Sequence, residues 1–518
     1  MVHEELEPKH DEDVRFVTFN VNGLRTLFNY HPFSAMERSL SRVFDYFKSD
    51  IITFQELKTD KHSLTKWGKV DGFYSFISLP KTKKGYSGVG CWVRIPRADD
   101  PMFGKLTVVK AEEGITGWLK VKIGNEMIRY KDDESQGIGG YESLGIQNES
   151  EAMDLDSEGR CVMVELACNL VVICTYCPAN SSLTDEGEVF RLKYLKVLFR
   201  RIRNLHLMGK EVVLMGDINV CRDLIDHAES LEKAQISLNN LKSGTEIEKQ
   251  NVQKVKEFIY NPSRPARRIL NENLADSVLQ DLSEHGELVD TTRVLQGRSR
   301  LKMYTVWNTL KNSRPINYGS RIDFILVSSR MKSEVRQANI WPQIMGSDHC
   351  PVFADLRLNK SAVIASGLLP RFEARYKYNL NQGDILSMFS KSMKKNPPLS
   401  QPSPKSKVTK KSMKQPRDIQ TALMSNPELE GHLHNDAQKT SRREDRKSKV
   451  LNTKGYGESS NEIIKKMFGK PPLCKHGEEA ILRTSKTNHN PGKRFWICNR
   501  PKGEAKDKSS SCDFFQWK

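Results

Sequence analysis

Short apolar runs rich in β-branched and aromatic residues recur through the first two thirds of this 518-residue chain. Runs of this length and composition are typical of buried strands. Two longer stretches, at 36–47 and 189–207, repeat apolar residues at i, i+3 and i+4, which is the spacing of an amphipathic helix. The alternation predicts an α/β body over residues 14–358, after a flexible N-terminus of residues 1–13. Its clearest strands are predicted at 14–19, 51–54, 162–166, 170–176, 211–215 and 322–327.

Polar stretches interrupt and then end this pattern. Residues 130–156 are rich in Gly, Ser and acidic side chains and are predicted to loop out of the body. Residues 231–250 look like a second insertion, polar or weakly helical. Residues 359–470 hold too few apolar side chains to form a core, which predicts a basic disordered linker. A compact segment with aromatic residues resumes at 471 and continues to 518.

The net charge of +18 is concentrated in the last third of the chain. Residues 361–518 hold 32 Lys and Arg against 15 Asp and Glu, a net charge of +17. A near-neutral body with a basic arm is typical of a protein that binds a polyanion such as nucleic acid, although a tail that serves only solubility is an alternative. No run of about 18 apolar residues could span a bilayer, so no membrane partner is expected. The acidic N-terminus lacks the apolar core of a leader peptide, which favours a location inside the cell.

Six strand-like runs end in polar side chains. Each taken alone has a structural explanation, because Gly-Asp-x-Asn after a strand is usually a turn or a helix cap and Asp-His pairs are mostly structural. Structural roles do not predict that all six occur in order, each at a strand end where α/β proteins place function. The residues are Asn20 and Asn22, Glu56, Tyr176, Asp217 and Asn219, Arg321 and Asp323, and Asp348 and His349.

This combination of residue types suits phosphodiester hydrolysis. Hard oxygen ligands hold a magnesium ion, which neutralises the phosphate and the leaving oxygen. Another acid orients the attacking water, and a histidine braced by a carboxylate donates to the phosphoryl oxygens. No exposed Ser or Cys nucleophile with an acyl-transfer triad is evident in the sequence.

Two segments are specific enough to indicate a family. Asn-Val-Asn-Gly at 20–23 and Gly-Ser-Asp-His-Cys-Pro at 346–351 resemble the exonuclease III branch of the endonuclease/exonuclease/phosphatase superfamily, and the likeness extends over roughly residues 14–358. The resemblance implies a four-layered α/β sandwich. It also implies a nuclear base-excision-repair enzyme that cuts 5′ to abasic sites and has 3′–5′ exonuclease and 3′-phosphodiesterase activities on damaged double-stranded DNA.

The same resemblance implies a role for each matched residue. Mg²⁺, with Mn²⁺ as the alternative ion, is expected at Asn20, Glu56, Asp217, Asn219, Asp348 and His349. Asp217 would position the water with help from Asn219, Tyr176 would contact the scissile phosphate, and Asp323 would orient His349.

Several positions depart from the better-known members of that branch. Asn22 stands where they have an aspartate, and Ala179 stands where an asparagine directly follows Tyr-x-Pro. The pocket for the abasic sugar, which is aromatic there, corresponds here to Val306, Ser320 and Ile322. A less aromatic pocket holds an extruded sugar less well, so the balance between abasic incision and 3′-end trimming stays open.

The C-terminal segment contains four ligands of the type that zinc prefers. Most of the ten cysteines lie in apolar, strand-like contexts, but Cys474, Cys498 and Cys512 lie in polar surroundings together with His476. Three thiolates and one imidazole satisfy a tetrahedral structural zinc, and a stretch of fewer than about 50 residues with so few apolar side chains needs such a ligand. The alternative is a chance grouping of four ligand-type residues.

The residues around these ligands resemble the GRF-type zinc finger, with Gly-Lys-Arg-Phe at 492–495. Basic side chains beside aromatic rings suit single-stranded DNA, because phosphates pair with cations and bases stack on rings. We expect Lys486, Lys493, Arg494 and Arg500 to contact the strand, and Phe495, Trp496 and Phe514 to include at least two core residues.

A short motif at 382–389 fits a peptide that binds a sliding clamp such as PCNA. Gln382 is followed by Ile385 at +3 and by Met388 and Phe389 at +6 and +7, although Met388 stands where an aromatic is usual. A chance match in the linker explains the motif equally well.

Three functions are compatible with these patterns. A DNA-repair nuclease accounts for the strand-end residues and the basic, zinc-containing tail together. A phosphatase or phosphodiesterase of the same fold on non-DNA substrates would not need that tail. A non-catalytic adaptor for single-stranded DNA and the clamp would not need a full set of catalytic side chains.

Overall fold

The computed structural model describes residues 6–81, 85–181, 183–236, 243–359, 369–380, 472–484, 494–500 and 510–517. Residues 1–402 and 403–518 form two separate units, which are described one at a time. Among the described residues, no helix is both long enough and apolar enough to cross a bilayer.

The first unit is built from two six-stranded sheets, joined by short helices and one long one. Its strands are β1 Val14–Asn20, β2 Ile51–Gln55, β3 Phe73–Ser78, β4 Val89–Arg94, β5 Val108–Glu113, β6 Lys120–Ile123, β7 Glu126–Arg129, β8 Cys161–Leu166, β9 Leu170–Tyr176, β10 Glu211–Asp217, β11 Leu288–Asp290, β12 Val306–Trp307, β13 Gly319–Ser320, β14 Asp323–Ser328, β15 Val335–Ile340 and β16 Val352–Leu356. Its helices are α1 Leu24–Leu27, α2 Leu40–Phe47, α3 Leu64–Trp67, α4 Phe103–Leu106, α5 Glu149–Asp156, α6 Asp185–Leu207, α7 Ala228–Lys233, α8 Gly244–Gln250, α9 Val252–Ile259, α10 Ala266–Glu272, α11 Gln280–Ser283, α12 Thr291–Gln296 and α13 Ala374–Lys377.

The two sheets pack face to face and form the middle layers of a sandwich. One sheet has the order β15-β16-β1-β2-β4-β3 and the other the order β11-β14-β10-β9-β8-β5. Because side chains alternate along a strand, Phe16 and Val172 point into the core between the sheets, whereas Val17 and Ile173 point outward. Helix α2 covers one outer face and α6 the other, which confirms the predicted four-layered α/β sandwich.

The predicted strands and helices are all present, with shifted ends. Helix α2, predicted to begin at residue 36, begins at Leu40. Ser39 is its N-cap and accepts a hydrogen bond from the Arg42 backbone N–H. Helix α6 begins four residues before the predicted start at 189. Its N-cap is Thr184, whose hydroxyl accepts from the Gly187 backbone N–H.

The prediction that residues 130–156 loop out of the body is wrong. Ile138, Leu144 and Leu155 are buried in the same core cluster as α6. The buried guanidinium of Arg201 on α6 donates to the carbonyl oxygen of Gly139 at 2.6 Å, which fixes this segment to the helix. The second insertion is weakly helical as predicted, with α7 and α8 flanking residues outside the described part of the chain.

The ends of the body also differ from the predicted boundaries. Residues 369–380, assigned to the linker, pack on the edge of the first sheet, where Phe372 and Ala374 are buried. Near the N-terminus, the Glu7 carboxylate accepts from Trp341 Nε1 at 2.6 Å, so part of the segment predicted to be flexible is held. Contacts with residues far away in the sequence hold both segments against the body, and the amino-acid composition of the segments does not reveal these contacts.

The described part of the second unit is a three-stranded antiparallel sheet. Its strands are β17 Ile481–Thr484, β18 Arg494–Ile497 and β19 Phe515–Trp517, in the order β17-β18-β19.

Candidate active site and zinc module

The polar strand ends meet at one rim of the sandwich. β1 and β2 are parallel, as are β9 and β10, so the carboxyl ends within each pair lie side by side. β14 is antiparallel to β10, and its first residue, Asp323, is directly opposite Asp217. The sheet register thus gathers side chains that are as much as 329 positions apart in the sequence, from Asn20 to His349.

Asn20 connects the two sheets at this rim. Its buried side-chain Nδ2 donates to Glu56 Oε1 and to Asp217 Oδ2, both at 2.9 Å. Glu56 follows β2 in one sheet and Asp217 ends β10 in the other. One amide therefore holds two carboxylates in a fixed relation, while Glu56 Oε2 pairs with Lys58 and Asp217 Oδ1 accepts from the Asn219 backbone N–H.

The backbone around the site adopts conformations that non-glycine residues rarely use. Asn22, Glu56, Lys58 and Asn219 all have positive φ, between 45° and 54°. Such conformations are costly and cluster at functional sites, where the surrounding structure enforces them. The turn after each strand thus aims its polar side chain across the rim.

Asp217, Asp323 and His349 form a buried cluster whose ligand atoms lie within 4.8 Å of one another. His349 Nδ1 is 2.8 Å from Asp323 Oδ2, and its Nε2 is 3.9 Å from Asp217 Oδ2. Burial and the neighbouring Asp323 charge raise the pKa of Asp217 to about 7. Burial alone would lower the pKa of His349, but the Asp323 and Asp217 carboxylates outweigh it and raise that pKa to about 10.

The pKa of the Glu56 carboxyl group is lowered, in contrast to that of Asp217. Burial tends to raise its pKa, but hydrogen bonds from Asn20 and Lys58 outweigh burial and lower it. The Lys58 ammonium lies 2.9 Å from Glu56 Oε2. Glu56 is therefore ionised at neutral pH, in the form that a metal ligand requires.

Asn22 contacts the carboxylate of Asp348, which the family resemblance implies is near the metal. Its Nδ2 donates to Asp348 Oδ1 at 2.9 Å, and its Oδ1 accepts from Lys58. An aspartate at this position could accept from Lys58 but could not donate to Asp348. Asn22 therefore replaces a repulsive pair of carboxylates by a hydrogen bond.

Tyr176 and Asn219 complete the rim. Burial, together with the Glu56 and Asp217 charges, raises the pKa of Tyr176, which keeps its hydroxyl protonated as a donor. The Asn219 backbone N–H donates to Asp217 Oδ1 at 2.9 Å, and its side-chain Nδ2 donates to the Cys177 carbonyl oxygen at 2.9 Å. All six predicted strand ends thus contribute to one site.

Thr305 and Arg160 support this site but were not predicted from the sequence. Thr305 Oγ1 donates to Asp323 Oδ2 at 2.6 Å and accepts from the backbone N–H groups of Ile322 and Asp323. The buried Arg160 guanidinium lies 4.9 Å from the Tyr176 ring centroid. Neither residue belongs to a motif, so only proximity in the fold reveals them.

The second unit brings together the four predicted zinc ligands. The ligand atoms of Cys474, His476, Cys498 and Cys512 lie within 4.8 Å of one another. The Arg500 backbone N–H donates to Cys498 Sγ and is the main cause that lowers the pKa of this thiol to about 6. A thiolate is the form that binds metal, so three sulfurs and one imidazole fit a structural zinc.

Comparison with models of protein families matches residues 17–349 to the Endonuclease/Exonuclease/phosphatase family. The chain belongs to this family. A second match, over residues 472–518, is to the GRF zinc finger.

Relatives that combine both parts are similar along nearly the whole chain. DNA-(apurinic or apyrimidinic site) endonuclease 2 of Saccharomyces cerevisiae is 52% identical over 99% of this chain and 98% of its own length. The protein of the same name in Schizosaccharomyces pombe is 30% identical, over 97% and 98%. Among solved structures, the Xenopus laevis APE2 catalytic domain aligns with a TM-score of 0.52 at 25% identity and covers 70% of this chain and 97% of that domain. This endonuclease/exonuclease/phosphatase-family chain thus belongs to the AP endonuclease 2 group.

A cavity of about 410 Å³ adjoins the family site. Asn219, Ser320 and Ile322 line it, so the predicted sugar-pocket residues and a catalytic candidate share one wall, and Val306 pairs with Ser320 between β12 and β13. Four cations, namely Arg191, Lys233, Arg264 and Arg267, line the remaining walls together with the acidic residue Glu229, which pairs with Lys233.

The positive charges in this cavity shift the pKa values of neighbouring groups, in addition to the effect of burial. Burial and the Arg267 charge lower the pKa of His227 to about 4. Burial lowers the pKa of Arg267 itself to about 10, and the charges of Arg264 and Arg191 add to this shift. A phosphate would relieve this repulsion between like charges.

The second unit exposes aromatic rings on its sheet. Phe495, Phe515 and Trp517 contact one another with ring centroids 5.0–5.6 Å apart, and Phe515 and Trp517 are exposed. Trp496 is buried, whereas Phe495 and Phe514 are half-buried, so the expectation of two core aromatics among these three is wrong. The rings that are free to stack are therefore more numerous than the sequence indicated.

The predicted DNA contacts are only partly within the described residues. Arg494 is exposed at the start of β18, and Arg500 forms an ion pair with Glu478 at 2.6 Å. Lys486 and Lys493 lie outside the described residues, as does the clamp-like motif with Gln382, Ile385, Met388 and Phe389.

Proposed function

We propose that this chain is a DNA-repair nuclease that uses Mg²⁺ to hydrolyse phosphodiester bonds, both 5′ to abasic sites and at 3′ ends. The observation that carries the proposal is the single rim on which Asn20 holds Glu56 and Asp217 together, beside the His349–Asp323 pair. The relatives named DNA-(apurinic or apyrimidinic site) endonuclease 2 support DNA as the substrate.

The donor set at the rim fits magnesium. Glu56, Asp217 and Asp348 offer carboxylate oxygens, the ligands that a small hard cation prefers, and Asn20 and Asn219 are further candidates. His349, which the family resemblance also implied as a ligand, is not proposed as one, because an imidazole protonated on both nitrogens has no lone pair for a metal. Asp323 Oδ1 is buried and has no hydrogen-bond partner, so the site holds more acceptor capacity than its own donors satisfy. A bound Mg²⁺ would supply Lewis-acid neutralisation of the phosphate.

Three side chains of the site, Asp217, His349 and Tyr176, each have a separate role toward the water or the phosphate. Asp217 accepts a proton from the attacking water, and Asn219, whose backbone N–H donates to Asp217 Oδ1, holds that carboxylate in position. His349 stays protonated because Asp323 holds its Nδ1, so its Nε2–H is directed to the phosphoryl oxygens. Tyr176 donates its hydroxyl hydrogen to the same phosphate.

The cavity beside Asn219 favours trimming of 3′ ends over incision. Its walls at Ser320 and Ile322 are small and lack an aromatic ring, so an extruded abasic sugar gains little contact. The four cations of the cavity instead suit the phosphate of a strand end. We expect 3′–5′ exonuclease and 3′-phosphodiesterase activities to exceed abasic incision.

The second unit is proposed to hold a structural Zn²⁺ and to bind single-stranded DNA. The exposed Phe515 and Trp517 rings offer stacking surfaces, and Arg494 offers a cation at the edge of the same sheet. A sliding clamp such as PCNA as partner, through residues 382–389, and a nuclear location rest on the sequence alone.

One assay separates the candidate functions. Purified protein with Mg²⁺ is given a duplex with a single abasic analogue and, separately, a recessed 3′ end with a blocking sugar fragment. We expect both substrates to be cut, the second faster, and Asp217→Ala to lose at least about 100-fold in rate. If neither substrate is cut and Asp217→Ala equals wild type, the nuclease proposal fails and the adaptor is favoured. Hydrolysis of small phosphoesters alone would favour the phosphatase.

A further inference from the structure

A second basic cavity lies at the far edge of the first unit. It measures about 680 Å³ and opens between the β6–β7 hairpin and residues 369–380. Its lining includes five cations and, among the described residues, no acidic side chain; the cations are Lys120, Lys122, Arg371, Arg375 and Lys377.

Acidic partners outside the lining neutralise only some of this charge. Lys377 pairs with Glu113 at 2.8 Å, Lys120 with Glu149 at 3.6 Å, and Arg375 with Glu373 at 3.8 Å. Within the described ranges, Lys122 and Arg371 have no ion-pair partner, and both are exposed. Two cations therefore remain available to an anion that enters the cavity.

The cavity extends along the edge strand β3, from the Phe73 carbonyl oxygen that Arg375 binds to the rim of the sandwich that carries the active site. β3 is parallel to β2 because both are antiparallel to β4, and β5 is parallel to β9 because both are antiparallel to β8. The carboxyl ends of β3 and β5 therefore face the same way as the catalytic strand ends. Lys377 binds at these ends, to the Ile77 carbonyl oxygen at 3.3 Å and to Glu113.

The sheet geometry also sets the distance between the two sites. β3 is two strands from β2, and β5 is two strands from β9. Since neighbouring strands are about 4.8 Å apart, the inner wall of the cavity is ~10 Å from the catalytic strand ends. The six residues of β3 rise about 3.3 Å each, which brings the cations at its far end to ~20 Å. B-DNA rises about 3.4 Å per base pair, so this span corresponds to ~3–6 base pairs.

We propose that this cavity binds the phosphodiester backbone of the DNA whose scissile bond occupies the active site, ~3–6 base pairs from that bond. The inference rests on the proposed function for the identity of the polyanion. Lys122 and Arg371 pair with the phosphates, while the exposed Met127 and Tyr376 line the same cavity and offer apolar contact to the sugars.

The test uses the full-length protein without added Mg²⁺ and without a chelator, so that binding is measured without hydrolysis and the second unit keeps its zinc. Fluorescence anisotropy gives the affinity for an abasic-analogue duplex as a function of salt, for wild type and for Lys122→Ala/Arg371→Ala. The control Lys332→Ala/Arg336→Ala removes two exposed cations near the start of β15, which is parallel to β1 and so begins at the opposite rim. We expect the first variant to reduce the salt slope by about 2 and the control to leave it unchanged.

A second duplex locates the contact. It carries uncharged methylphosphonate linkages about 3–6 base pairs on either side of the analogue. Wild type should bind it several-fold more weakly than the charged duplex, whereas Lys122→Ala/Arg371→Ala should bind both equally. Equal losses in wild type and variant would overturn the proposal.

A free nucleotide is the alternative ligand whose phosphate would occupy this cavity, and dAMP is the probe for it. If dAMP binds wild type but not Lys122→Ala/Arg371→Ala, and DNA affinity is equal in the two proteins, the strand proposal is wrong. Binding is measured without Mg²⁺ and so does not depend on catalysis. If the nuclease assay fails but the salt slopes of wild type and Lys122→Ala/Arg371→Ala still differ, only the proposed function is contradicted.

Discussion

Asn22 Nδ2 donates a hydrogen bond to Asp348 Oδ1 across 2.9 Å, a contact that an aspartate at position 22 could not make. The amide satisfies the carboxylate without a cation, so the metal-free site is not destabilised by two facing negative charges. The site thereby gives up one charge that would attract a metal ion.

The substitution Asn22→Asp tests whether Asn22 stabilises the metal-free site at the expense of metal affinity. We expect a lower unfolding temperature without metal, because like charges then face each other. The Mg²⁺ concentration for half-maximal activity should fall by up to about tenfold, which corresponds to 1.4 kcal/mol. Asn22→Ala removes the hydrogen bond without adding charge and should lower stability only. Unchanged metal dependence in Asn22→Asp would show that Asp348 lies outside the metal's reach.

Thr305 is expected to act through Asp323 and His349 rather than on the substrate. Thr305→Val removes the donor to Asp323 and leaves the Ile322 and Asp323 backbone N–H groups unsatisfied, at a cost of about 1–3 kcal/mol in the free energy of unfolding. Because Asp323 holds His349 protonated, the alkaline limb of the pH–rate profile should also move. Thr305→Ser should restore both properties, and a profile that does not move in Thr305→Val would reduce Thr305 to a structural role.

His227 makes the stability of the protein depend on pH. Its pKa is about 4 in the folded state and 6.5 in the unfolded state, so the unfolded state binds the proton first as pH falls. Stability is complete above pH 6.5 and decreases between 6.5 and about 4, by about 1–3 kcal/mol. In His227→Asn the side chain still accepts from the Ser230 N–H but does not titrate, so chemical denaturation should give a flatter profile over this range. An equally steep profile in this variant would assign the effect to other groups.

Zinc removal should affect the C-terminal unit alone. Cys498→Ser, or a strong chelator, is expected to release about one equivalent of zinc and to abolish the ordered structure of that unit. Cys168→Ser, which changes a half-buried thiol in the first unit, should retain the zinc. Activity on duplex 3′ ends should persist in Cys498→Ser, while affinity for single-stranded DNA falls. Full zinc content in this variant would exclude Cys498 as a ligand.

The amino-acid sequence by itself determined the strands, the catalytic candidates and the zinc ligands. Alternation of apolar residues depends on the local period of the backbone, and the strand ends at Asn20, Glu56 and Asp217 carry their chemistry in short motifs. The four zinc ligands belong to the same category, because a small unit with few apolar residues depends on them for its stability. Each strand end or pair of ligands is encoded in a short local motif, even where the motifs themselves are far apart in the chain.

Only the tertiary structure decided how these parts act together. The Asn20 bridge between the sheets, the Thr305–Asp323 hydrogen bond and the raised pKa of Asp217 depend on burial and on distances through space. The same holds for residues 369–380, which were assigned to the linker of residues 359–470 but whose Phe372 is buried at the sheet edge and whose cations line a second cavity. Packing between distant segments sets these relations, and no local pattern in the chain records them.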